Sequence, residues 1–172
     1  MRVYTIGHGT RPAEELVATL AAAGAKTVVD VRRFPGSRRH PQFNQAPLAA
    51  SLAQAGIGYR HVVELGGRLS GEPGEERFAC IRTAAFRSYA ARMGTEPWQH
   101  ALAATLDLTA PCLMCAETLW WRCHRSLIAE LLVARGVDVL HLVRPGEERP
   151  HRPGGDTESR DGKLYLCGQL VG

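Results

Sequence analysis

The densest chemistry in the chain lies in Cys115-Ala116-Glu117-Thr118-Leu119-Trp120-Trp121-Arg122-Cys123-His124-Arg125. Cys123 stands where a helix is expected to begin, and a helix N-terminus flanked by arginines lowers a thiol pKa and attracts anions. Cys123 is therefore a candidate nucleophile, with His124 or Glu117 to move protons and Arg125 to bind substrate. The plain alternative is a small residue packed at a helix start. Trp121 offers a face on which a base could stack, unless it packs in the core. Cys115, Cys123 and His124 also suggest a zinc or iron site, although adjacent residues rarely face one ion and standard zinc signatures use paired spacings. Cys112 and Cys115 are three apart in an expected strand and so face opposite ways, which removes their C-x-x-C spelling as a chelating pair. The phosphatase arrangement of a Cys with an Arg six positions on is missing, because Cys115 meets Trp121 and Cys123 meets Ala129.

A second group of candidates is basic. Asp30 and Arg32 share one face of an expected strand, as a salt bridge or as an acid/base group beside an anion binder. Arg32, Arg33, Arg38, Arg39 and His40 crowd around Pro35-Gly36-Ser37. Guanidinium groups fork onto phosphate oxygens, and Ser37 adds neutral donors, so the loop reads as an anion site or as a solvated basic loop. Phe43 and Asn44 follow, an aromatic ring and an amide suited to stacking on and reading a base. His8, at the end of the first expected strand, is a further proton carrier. Leu65-Gly66-Gly67-Arg68 is either an ordinary turn or a place where a ligand nears the backbone. Neither GxGxxG nor GxxxxGK[ST] occurs.

These residues need a scaffold. Arg2 to Ile6 alternates as a strand, Pro12 opens a helix closed by Gly24, and Thr27 to Arg32 reads as a buried strand, which makes a βαβ unit. A helix from Pro47 to Ala55, a strand from Tyr59 to Val63, helices over 75–93 and 96–106, a strand over 112–116, a helix over 124–135 and a strand over 139–143 continue the alternation. The expected fold is α/β: a single domain over 1–143 with a mainly parallel sheet flanked by helices. Its active edge is expected at the C-terminal ends of the strands, where such sheets bind ligands. Residues 144–163, rich in Pro, Gly and charge, read as a loose loop, and 164–172 as a segment returning to the sheet edge.

With 172 residues, 45% hydrophobic and 22% charged, the chain has the composition of an average folded domain rather than a disordered chain or a coiled coil. No apolar run nears the roughly 20 residues that cross a bilayer, and no signal peptide opens the chain, so a cytoplasmic location without membrane contact is expected. Five cysteines suggest reduced thiols rather than a disulfide framework. The net charge of +4, carried almost wholly by arginine, suits a phosphate-bearing small molecule or nucleic acid as partner.

Thr5-Ile6-Gly7-His8, Val29-Asp30-Val31-Arg32 with Pro35 and Ser37, Pro41 and Phe43-Asn44, Leu65-Gly66-Gly67-Arg68, and Cys115-Ala116-Glu117 with Cys123-His124-Arg125 together resemble the domain-of-unknown-function family numbered 488. The likeness runs from residue 4 to about 143 and departs at Gly9-Thr10, where the family often has serine after the histidine. It implies an α/β domain and names no reaction. From the residues, the first expectation is an enzyme for hydrolysis or group transfer at a glycosidic or phosphoester bond of a nucleotide or nucleic acid, with no required cofactor. A metal or redox protein and a non-catalytic nucleic-acid-binding module are the alternatives.

Overall fold

The computed structural model describes residues 1–172. Its elements are β1 (Arg2–Gly7), α1 (Ala13–Ala23), β2 (Thr27–Asp30), α2 (Gln45–Gln54), β3 (Gly58–His61), α3 (Ala84–Met93), α4 (Glu96–Leu106), β4 (Pro111–Cys115), α5 (Arg125–Ala134), β5 (Asp138–Arg144), β6 (Glu147–Pro150), β7 (Thr157–Arg160), β8 (Lys163–Leu166) and β9 (Gln169–Leu170). The main sheet has the order β3-β2-β4-β1-β5-β6, with β6 antiparallel and the rest parallel. This is the single α/β domain that the alternation of segments predicts.

The central strands β1, β2 and β4 are buried along nearly their whole length, as a sheet covered on both faces requires. Val3, Val29, Leu113 and Cys115 face one layer, and Tyr4, Ile6, Val28, Cys112 and Met114 face the other. The first layer holds Trp98, Leu102, Ile128 and Leu132 from α4 and α5, and the second holds Leu16, Leu20, Leu48 and Leu52 from α1 and α2. Cys112 and Cys115 thus point to opposite faces. Gly24 ends α1 with φ 74°, a left-handed cap that its missing Cβ permits.

The connections reverse between two adjacent strands. From β1 the chain passes to α1 on one face, and from β4 to α5 on the other, while β1 and β4 pair directly, Gly7 opposite Cys115. In open parallel sheets such a reversal opens a crevice beyond the strand ends. Here the two strand ends stay joined, His8 N–H donating to the Cys115 carbonyl and Gly9 N–H to that of Ala116, and clefts lined by Cys115–Glu117 and by His8 open beside them.

Several expectations are corrected. The helix expected over 75–93 is a short 3-10 turn, Glu75–Phe78, followed by α3, because Thr83 is extended and restarts the chain. Residues 144–163 are not a loose loop: β5 and β6 form a hairpin through Pro145-Gly146, its charges pairing as Arg144 and Arg149 on Glu147, and β7 follows. The last segment does not return to the main sheet. It builds β7-β8-β9, a second antiparallel sheet that sends Leu164, Leu166 and Val171 into the core beside α5. Nor are all thiols free: Cys80 and Cys167 form a disulfide that ties the segment before α3 to the turn after β8, leaving Cys112, Cys115 and Cys123 unbridged.

Candidate active site

Cys115 closes β4 and Cys123 precedes α5, and the seven residues between them loop out and back so that the two sulfurs lie 2.8 Å apart. Both are almost wholly buried, at 2% and 6% exposure, and both line a cleft of about 450 Å³. Cys115 Sγ accepts N–H donors from Arg125 Nε at 2.9 Å and from the Glu117 backbone at 3.3 Å. On the other side, His124 Nδ1 stands 3.4 Å from Cys123 Sγ. His124 Nε2 lies 3.1 Å from the carbonyl of Val31, so this nitrogen carries a proton to donate and Nδ1 is left to exchange one with the thiol. A thiol, an imidazole and a carbonyl that orients the imidazole therefore stand within reach of one another.

Arg125 contributes to the charge state of the thiols. Its side chain is 1% exposed, and its remaining hydrogen bonds go to Thr5 Oγ1 and the carbonyls of Glu117 and Thr118, with no carboxylate among its partners. A guanidinium stays protonated, and a buried cation requires a nearby anion. The sulfur pair is the only group in contact that can supply one. The Cys115 thiol, the His124 ring and the Arg125 charge accordingly push the Cys123 pKa down to about 3, against the opposing effect of burial. Burial and the Cys123 sulfur hold the Cys115 thiol well above its ordinary range. Of the two sulfurs, Cys123 is the one whose charged form the surroundings favour.

The cleft above this pair is rimmed by Arg32, Arg33, Arg68 and Arg122, with Phe34, Gly67 and Glu117. Arg68 takes φ 60°, a left-handed conformation uncommon for residues with a side chain. A second cleft of about 380 Å³ continues past Arg32, Arg68 and Glu117 to His8, Gly36, Ser37 and His40. Glu117 is exposed between the two, and its Oε1 accepts only the backbone N–H of Leu119, at 3.2 Å.

Other expected site residues prove to be committed inside the protein. Asp30 is fully buried: Arg32 donates to it from Nε at 2.8 Å and Nη2 at 2.6 Å, and Tyr59 donates its hydroxyl at 2.7 Å. It is an anchor for Arg32, not an acid/base group. His8 Nδ1 donates to the Gly9 carbonyl, so its Nε2 accepts from Arg32 Nη1 at 3.3 Å. Burial and Arg32 lower its pKa to about 4 and keep it neutral. Phe43 is fully buried with its ring stacked on His8, which removes it as a surface for a base. Asn44 spends its Oδ1 on the Ser37 N–H at 2.6 Å, so neither group is free for a substrate. Arg125 is a buried counter-ion instead of a substrate ligand.

Gly66 and Gly67 let protein, not ligand, come close. A Cβ on Gly66 would meet the Val63 carbonyl and the Arg33 backbone, and one on Gly67 would enter the His124 ring. Arg38 and Arg39 are exposed and line neither cleft. Trp121, 53% exposed, faces a separate hollow of about 670 Å³ on the far side of the 117–121 loop, with Arg11, Arg149 and Arg152. Cys115, Cys123 and His124 do converge, but no group of three or more His, Cys, Asp or Glu is arranged to hold a metal ion. The Arg125 cation on Cys115 Sγ opposes a second cation there.

Some cleft residues escape sequence reasoning. Phe34 and Arg122 sit beside recognised candidates without a pattern of their own, and Tyr89, whose ring packs on His124, reads only as an apolar position of α3. The family model described as a domain of unknown function, DUF488, matches residues 12–132. No curated protein and no solved structure gives a significant match.

Proposed function

Because the chain belongs to the DUF488 family, whose description names no reaction, we propose a function from the site itself: the protein is an enzyme that hydrolyses a nucleotide or nucleic acid, or transfers a group from it, at a glycosidic or phosphoester bond by attack of Cys123. The observation that carries this reading is the thiol pair that supplies the counter-charge of buried Arg125 at the floor of an arginine-rimmed cleft.

Arg33, Arg68 and Arg122 hold the substrate phosphate through forked, charge-assisted hydrogen bonds, and the 66% exposed Phe34 ring is open to a base. The Cys123 sulfur gives its electron pair to the electrophilic carbon or phosphorus. The bond to the leaving group breaks with its own pair, and Glu117 or His124 Nδ1 supplies the proton. Water or a second acceptor then attacks the adduct, loses its proton to the same group and releases the thiolate. No cofactor enters these steps. This reading places the protein in the cytoplasm; no helix is long and apolar enough to cross a membrane.

The test incubates the protein with nucleoside phosphates and short oligonucleotides, follows products by chromatography and looks for a Cys123 adduct by intact mass. Cys123→Ala is expected to lose at least about a thousandfold in turnover. Arg33→Ala and Arg68→Ala should each weaken binding about tenfold. Conversion that survives Cys123→Ala contradicts the nucleophile. Salt-sensitive binding without conversion makes the protein a nucleic-acid-binding module.

A further inference from the structure

The proposed nucleophile has a neighbour that hydrolysis or transfer does not need. Cys115 Sγ lies 2.8 Å from Cys123 Sγ, nearer than any other group in contact with that sulfur, and both open on one cleft. We infer that Cys123 is a hydroperoxide-reactive thiolate and Cys115 its resolving thiol, so that the pair closes to a disulfide when it meets a peroxide and reopens with a small-molecule thiol. This deepens the reading above, because it rests on the same thiolate and describes what switches it off.

Cys123 sulfur attacks one oxygen of the hydroperoxide. An S–O bond forms, the O–O bond breaks, and the departing alkoxide takes a proton to leave as an alcohol. Sulfur is oxidised by two electrons and the peroxide is reduced. Cys115 sulfur then attacks Cys123 sulfur: the S–S bond forms, the S–O bond breaks, and hydroxide leaves with the Cys115 proton as water. Two thiols and one hydroperoxide give one disulfide, one alcohol and one water. Two equivalents of a small thiol restore the pair and leave as their own disulfide.

Arg125 sets the direction in which this pair is poised. A disulfide is neutral, so closing it leaves the buried guanidinium without its anion, and the reduced form is the one the site stabilises. The bond is therefore labile, a switch instead of a staple. Cys112 cannot take the place of Cys115, because it is fully buried on the opposite face of the sheet.

The sequence makes the test direct, since cleavage after arginine puts Cys115 on the peptide Met93–Arg122 and Cys123 on Cys123–Arg125. Reduced protein is treated with an equivalent of hydrogen peroxide, quenched with an alkylating agent, digested and mapped by mass spectrometry. The two peptides should be joined through Cys115, with the loss of two hydrogens and reversal by dithiothreitol. In Cys115→Ser the bridge should vanish and dimedone should capture a sulfenic acid on Cys123. An unmodified Cys123, a bridge to Cys112 or Cys80, or accumulation of sulfinic acid in the wild type overturns the inference. The wild-type map decides it even if the variant does not fold. Joined peptides together with nucleotide conversion that survives Cys123→Ala would sink the proposed function and leave the switch standing; the opposite pair of results would do the reverse.

Discussion

At the scale of single residues, the site separates charges that hold from charges that react. Asp30 accepts from Arg32 and Tyr59 in a fully buried setting, and Arg32 also donates to the Phe43 carbonyl at 2.8 Å. Removing the Asp30 charge strands a buried guanidinium, so Asp30→Asn should lower stability by about 3–5 kcal/mol in urea unfolding. A loss below about 1 kcal/mol would mean that Arg32 finds another partner. Tyr59→Phe removes one hydrogen bond and should cost about 1–2 kcal/mol by the same measurement. The pairing of Asp30 with Arg32 is legible in their spacing along a strand. Their other partners come from Phe43 and Tyr59, distant in sequence, and such contacts leave no local pattern to read. The same holds for Arg125: a basic residue at a helix start looks like an anion ligand until its burial against Cys115 is known.

At the scale of elements, two glycines bring segments together that the chemistry requires. A Cβ on Gly67 would enter the His124 ring, so Gly67→Ala should turn that ring away from Cys123 and cut alkylation of Cys123 near neutral pH by about tenfold, while the fold survives. An unchanged rate would show that the imidazole does not tune the thiol. At Gly7 the added carbon would meet backbone at Glu117 and Thr118, which cannot swing aside as a side chain can, and Gly7→Ala should cost about 3 kcal/mol or more in urea. A cost near zero would mean that the β1 and β4 ends are not held together as described. The βαβ order and the strand holding Cys115 are legible because apolar runs and turn residues mark them. β6 and β7 are not, because they are exposed and charged, and Pro and Gly within 144–163 imitate a loop.

At the scale of the molecule, buried histidines couple stability to pH. His8 and His141 are almost wholly buried, and burial lowers their pKa values to about 4 and about 3 from the ordinary 6.5. Below that ordinary value the unfolded chain binds protons that the folded chain does not. Stability should therefore fall as pH falls from about 6.5 towards 4, by about 1.4 kcal/mol per pH unit for each ring. Unfolding in urea at several pH values over that range checks it, and a flat profile would contradict the neutral, buried rings. Cys123 acts in the same direction, since its proton stays on the unfolded chain up to about pH 9. That thiol is the centre of the account, and the pH dependence of its alkylation by iodoacetamide, followed on the Cys123–Arg125 peptide, tests it most directly. The rate should hold a plateau from about pH 8 down to about pH 5, as for a thiolate already formed. A rate that falls about tenfold with each unit below about pH 8 would make Cys123 an ordinary packed cysteine and remove the nucleophile from the site.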